Sequence, residues 1–136
     1  MDNRSFALIA CVNDEELWGE CEKYLGELVV PEGYSLDVIK ITGATSIMHA
    51  YNEVIEKSDA KYKIYFHQDT FILNKNLLGD LLDLFEDPKI GMVGVQGGTR
   101  IPKSGVWFHD GFHSFGTIFR VGTIGGIGGK IELGKF

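Results

Sequence analysis

Three polar residues, His67-Gln68-Asp69, directly follow the apolar run Ile64-Tyr65-Phe66. That order suits a cation site. A hard divalent ion such as Mg²⁺ or Mn²⁺ takes oxygen ligands, often one or two carboxylates completed by phosphate oxygens. Asp69 would supply the carboxylate and a nucleoside diphosphate the other oxygens. The charge distribution gives an independent reason to expect a cation. Residues 1–96 carry 8 basic and 17 acidic side chains, whereas residues 97–136 carry 5 basic and 2 acidic ones. Two like unit charges ~4 Å apart repel by about 1 kcal/mol in water and about 4 kcal/mol at an effective dielectric of 20. A pyrophosphate held among these carboxylates therefore needs a divalent ion between them. A purely structural role competes with this one: Asp69 begins a turn or caps the backbone around Thr70. Pattern alone leaves both open.

Other constellations are weaker. The stretch Gly122-Thr123-Ile124-Gly125-Gly126-Ile127-Gly128-Gly129-Lys130 invites a phosphate-loop reading, but the first required glycine falls on Ile124 and Ile131 replaces the Ser or Thr. It reads instead as a turning loop. A dinucleotide fingerprint is excluded because the first apolar run leads into Asn13-Asp14 rather than into glycines. His109 and His113 would share one face of a helix, but Gly111 lies between them and the surroundings are not helical in pattern. Cys11 and Cys21 form no CxxC pair, sit in apolar stretches, and read as buried free thiols. The net charge of −6 argues against nucleic acid as a partner. No apolar run reaches the ~18 residues of a membrane span. The residues after Met1 do not form a secretory signal, so a cytoplasmic location is expected.

The elements that must position Asp69 follow from hydrophobic period. Phe6 to Val12 is continuously apolar, as in a strand buried on both faces. Asn13 and Glu16 then fit a helix start with an acidic first turn. Leu17, Trp18, Cys21, Tyr24, Leu25 and Leu28 keep helical spacing, and Pro31-Glu32-Gly33 reads as a turn. Leu36–Ile41 predicts a second strand. Ile47, Tyr51, Val54 and Ile55 predict one face of a second helix. Tyr62–Phe66 predicts a third strand, a third helix begins near Asn76, and Ile90–Val95 predicts a fourth strand. Strands alternating with helices predict an α/β fold with a mostly parallel sheet and helices on both faces. In such sheets ligands bind beyond the carboxyl ends of the strands. Those ends are Asn13, the loop from Thr42, His67 to Asp69, and Gln96 to Gly98. From Gly97 onward 11 of the chain's 18 glycines crowd into 40 residues, with Trp107, Phe108, Phe112, Phe115 and Phe119 among them. This predicts irregular loops and short strands. The expected organisation is a single domain over 1–136, with an α/β core over 1–98 and a Gly- and aromatic-rich extension over 99–136.

Residues 6–107 resemble the family 2-like glycosyltransferases, in a branch whose acidic metal motif reads His-Gln-Asp. The matching stretches are Ala10 to Asp14, Ala44 to Glu53, Tyr65 to Ile72, Ile90 to Gly97 and Pro102 to Trp107. Their shared order and spacing carry the resemblance. It implies a Rossmann-like GT-A nucleotide-binding domain whose first strand end cups the nucleobase and ribose through Cys11, Val12 and Asn13. The loop after the second strand has no acid to offer the base, so Thr42 and Ala44 would serve through hydroxyl or backbone groups. Asn52 matches an asparagine that faces the nucleotide. His67 stands where many relatives have the first Asp of Asp-x-Asp, Gln68 lies between, and Asp69 matches the metal-binding Asp. The implied ligands are a nucleoside-diphosphate sugar, a UDP-sugar being favoured, and Mn²⁺ or Mg²⁺. The implied reaction is attack of an acceptor hydroxyl on the sugar as the cation stabilises the leaving diphosphate. Relatives continue beyond this length and place the acceptor site and a carboxylate base there. This chain stops at Phe136, and after Trp107 only Asp110 and Glu132 are acidic. The expectation is therefore either a fragment or a short protein. Two alternatives to a transferase stay open: a nucleotide-binding module without transfer, and a structural domain that forms homo-oligomers.

Overall fold

The computed structural model describes residues 1–105 and 114–116. The chain forms two compact units, Met1–Asp87 and Pro88–Phe136. The first unit holds β1 (Asp2–Val12), α1 (Glu15–Leu25), β2 (Ser35–Thr42), α2 (Ile47–Lys57), β3 (Ala60–His67) and α3 (Leu77–Leu84). Its sheet has the order β2-β1-β3, with both pairings parallel. The predicted strands and helices of this unit are all present, and the α/β class with a parallel sheet holds.

β1 is the centre because its sequence can be nowhere else. Phe6 to Ala10 are 0% exposed. Such a run needs apolar cover on both faces and hydrogen-bond partners on both edges. The pleat divides the run between two cores. Leu8, Ala10 and Val12 join Trp18, Cys21, Leu25 and Phe66 on the side of α1. Ala7 and Ile9 join Val54 and Ala60 on the side of α2. The first crossover runs from β1 to β2 and the second from β2 back past β1 to β3, so they travel in opposite directions across the sheet. Right-handed connections then place α1 and α2 on opposite faces, as the two cores require. α3 shares the face of α1: Phe85 at its end meets Tyr62 at 5.7 Å, and Tyr62 stacks on Phe6 at 4.9 Å. Lys75 straps the two helices' connections together, with Nζ on Glu27 at 2.6 Å and its carbonyl accepting from the Val29 N–H at 2.8 Å.

Local chemistry sets the boundaries. The Asp14 carboxylate accepts from the N–H groups of Glu16 and Leu17 at 3.0 and 3.1 Å, capping α1. The cap is thus one residue later than Asn13, whose side chain is engaged elsewhere. After α1, the Tyr34 N–H donates to the Pro31 carbonyl at 3.0 Å, with Gly33 at φ 77°. A positive φ at the third turn position is a type II turn, which wants glycine. Trp18 is 2% exposed and stacks on Phe66 at 6.3 Å. Its indole N–H finds no acceptor among the described residues, so contact alone holds it.

One expected element is corrected. Ile90–Val95 is not a strand; β4 is Gln96–Gly98 and pairs antiparallel with β5, Ser114–Gly116. Gly91 and Gly94 interrupt the apolar run, and a glycine inside a strand weakens it. Met92 and Val95 are accordingly 89% and 73% exposed.

The two-sided burial of β1 gives a direct test. Leu8→Ala is expected to lower unfolding free energy by about 2–5 kcal/mol, because it leaves a cavity in a closed core. Val38→Ala on the neighbouring strand, where the side chain is 46% exposed, is expected to cost under about 0.5 kcal/mol. Urea titrations of the two variants against the parent chain compare them; equal losses would contradict this account of the core.

Candidate functional site

The parallel register gathers the strand ends at one edge. Cys11 lies beside Ile41 on β2 and His67 on β3, and Val12 lies beside Thr42. The chain passes from β1 outward to β2 through α1 and returns through α2 to β3 on the opposite edge, so the gap between the ends of β1 and β3 is the topological switch point. The β1–α1 loop and the turn after β3 border that gap.

A side-chain amide bridges it. Gln68 Oε1 accepts from the Asn13 N–H at 2.8 Å and the Asp14 N–H at 3.1 Å, and Gln68 Nε2 donates to Asn13 Oδ1 at 2.6 Å. Two backbone donors can be met only by an oxygen, so the amide's orientation is dictated by chemistry. Both Oε1 lone pairs are then occupied, leaving Gln68 one Nε2–H to offer a ligand. Asn13 in turn keeps its Nδ2 donors.

Asp69 sits in the turn closed by the Thr70 N–H on the His67 carbonyl at 2.9 Å. The turn alternative raised from the sequence is therefore correct for the backbone. It does not use the carboxylate: Asp69 is exposed, and backbone groups alone close the turn. The Cys21 thiol donates to the Thr70 carbonyl at 3.3 Å, fastening the far side of the turn to α1. His67 is exposed at the end of β3. Among the described residues no group of three His, Cys, Asp or Glu could hold a metal ion, so a cation here would draw most of its ligands from its anionic partner and water.

The surrounding electrostatics are negative. α1 begins with Asp14, Glu15 and Glu16, and Asp14 already serves its backbone donors. That helix end is not an anion cradle, in contrast to dinucleotide-binding folds. Lys40 Nζ is bound to Glu15 at 2.5 Å. The β2–α2 loop is exposed, turns at Gly43 with φ 66°, and passes Thr42 and Ala44 before Ser46 caps α2.

The other sequence-derived residues fare unevenly. Cys11 is half-buried on the α2 side, where burial pushes its thiol pKa up. Val12 is 4% exposed with its side chain in the core, so only its backbone faces the strand ends. Asn52 is exposed on α2, two residues from both buried Ala50 and Val54 and hence on the helix's outer side. Sequence reasoning missed Tyr51, whose hydroxyl donates to the Phe66 carbonyl at 3.1 Å and anchors α2 to the end of β3. His109, His113 and the 122–130 glycine stretch lie outside the described residues. A groove of about 570 Å³ lies between β2 and α2, over Ile39, Ile41, Ala50 and Val54.

Residues 7–128 match a family described as a glycosyltransferase-like family. The chain belongs to that family. No curated protein and no solved structure matches it. The match includes all three strand ends and Asp69, so the glycosyltransferase-like domain contains the site assembled here.

The thiols give a pH test. Burial first, then the charges of Glu22 and Asp69, raise the Cys21 pKa. A raised folded-state pKa contributes stability that is complete below the unfolded value, roughly 8.5, and is lost as pH rises through the folded value. Cys11 is shifted the same way by burial. Thermal midpoints of the parent chain are expected to fall from about pH 8.5 upward, and Cys21→Ala to flatten that slope. Identical slopes in the two proteins would refute the coupling.

Proposed function

We propose that this glycosyltransferase-like chain holds a nucleoside-diphosphate sugar, a UDP-sugar foremost, through a divalent cation on Asp69. The observation that carries the reading is the Asp69 carboxylate. It stands exposed beside the switch point, in a turn that backbone hydrogen bonds close without it. The donor set suits Mg²⁺ or Mn²⁺: one hard carboxylate, with positions left for phosphate oxygens and water. Such an ion, when bound, stabilises negative charge on the departing diphosphate.

The chain's own residues would do the rest. Asn13 Nδ2 would donate to ribose or phosphate oxygens. The backbone at Cys11 to Asn13, with the hydroxyl of Thr42 and the backbone at Ala44, would border the base. His67 would reach the ribose. In transfer, the acceptor hydroxyl oxygen forms a bond to the anomeric carbon as the bond to the diphosphate oxygen breaks. The electron pair leaves with the nucleoside diphosphate and the proton passes to a base.

A second reading, donor binding without transfer, also has support. Among the described carboxylates, Asp14 is taken up in capping α1 and Glu15 is paired with Lys40. Neither is free to act as that base. Release of sugar or its transfer from UDP-sugars by this chain, followed by chromatography, separates the two readings.

Calorimetry with UDP and GDP, with and without Mn²⁺, tests the shared claim. Binding is expected to need the metal and to weaken at least about tenfold, a loss of about 1.4 kcal/mol, in Asp69→Ala. Equal affinity in parent and variant would overturn the metal role.

A further inference from the structure

Gln68, which the resemblance places at the nucleotide, gives all but one Nε2–H of its amide to the protein. The amide makes three hydrogen bonds to the β1–α1 loop across the gap, at 2.8, 3.1 and 2.6 Å. Its partners lie 54 and 55 residues away in sequence, so it joins segments that no local interaction brings together. Asp69 is the next residue. On Asp69's other side, the Thr70 carbonyl is held by the Cys21 thiol at 3.3 Å. The Asp69 backbone is thus pinned on one side to the β1–α1 loop and on the other to α1, while its carboxylate stays exposed.

The geometry points to Gln68 as a positioning residue for the donor site: its amide holds the β1–α1 loop against the β3 turn and so sets where Asn13 and Asp69 stand relative to each other. The inference rests on the cation and nucleotide reading above. Its logic is that of outer partners at metal sites, which orient ligands without touching the ion. A cation on Asp69 and a diphosphate reached by Asn13 need a fixed separation between those two residues. The Gln68 amide is the bridge that spans it.

The test uses three variants of the full chain. Gln68→Leu keeps the approximate volume and removes all three hydrogen bonds. Gln68→Glu keeps an acceptor for the Asn13 and Asp14 N–H groups, the two bonds that hold the loop backbone. A glutamate has no N–H, so it cannot replace a direct contact from Nε2 to the nucleotide. Asp69→Ala reports on the underlying reading. The measurements are calorimetric affinity for UDP at saturating Mn²⁺, and amide exchange at Asn13 and Asp14 by NMR without ligand. Gln68→Leu is expected to weaken UDP binding roughly 10- to 100-fold and to speed exchange at both amides. Gln68→Glu is expected to restore most of the affinity and the slow exchange. Gln68→Glu binding as poorly as Gln68→Leu while keeping slow exchange would overturn the positioning role in favour of direct contact. Gln68→Leu binding like the parent, while Asp69→Ala does not bind, would overturn it alone. Unchanged binding in Asp69→Ala would instead remove the reading beneath it. If Gln68→Leu fails to fold, Gln68→Asn, one methylene too short to bridge, takes its place in the same comparison.

Discussion

A strand buried on both faces has no water to satisfy its backbone, so each N–H and carbonyl must find a partner along its edges. β1 meets that demand with β2 on one side and β3 on the other, both in parallel. Parallel neighbours require crossovers, crossovers require helices, and the two helices must cover opposite faces of the same strand. The architecture of the first unit follows from burying Phe6 to Ala10 completely. The strand ends converge for the same reason. Three parallel strands in register finish together, and the loops that leave them have nowhere else to emerge.

The site at that edge divides labour between adjacent residues. In the His67–Thr70 turn, backbone groups close the bend, Gln68 reaches across the gap, and Asp69 projects its charge. A single polar residue cannot bond to protein and remain open to a ligand with the same atoms. Separating the two roles over neighbouring positions lets the turn be held tightly while its carboxylate stays exposed. The acidic start of α1 adds a constraint: with Glu15 and Glu16 beside the capping Asp14, an anion gains little from the helix end.

Much of this was legible in the sequence because it rests on local pattern. The continuous run in β1, the helical spacing of Ile47 to Ile55 and the polar triplet after Phe66 each reported their own surroundings. What was not legible depended on distant contacts. Asn13 looked like the cap of α1, but Gln68 takes its side chain and Asp14 caps instead. The resemblance implicated Val12 at the nucleotide, and the pleat turns its side chain into the core with Trp18, leaving its backbone at the strand end. Ile90–Val95 matched a buried strand in composition, but two glycines weaken it as a strand, and the pairing lies at Gln96–Gly98. The tyrosine that anchors α2 to β3 had no signature, since a helical aromatic reads as core whether or not its hydroxyl is bonded.

The bridge from Gln68 to Asn13 also bears on the order of assembly. It closes a loop of 55 residues that contains both crossovers. Closing so long a segment costs entropy that only the intervening structure can offset, and contacts of high sequence separation form slowly. A chain with β1, α1 and β2 in place would have its Asn13 loop but nothing to hold it. Only when β3 docks on the opposite edge do Asn13, Gln68 and Asp69 come together. The site cannot exist before β3 docks, so its formation marks the completion of the sheet.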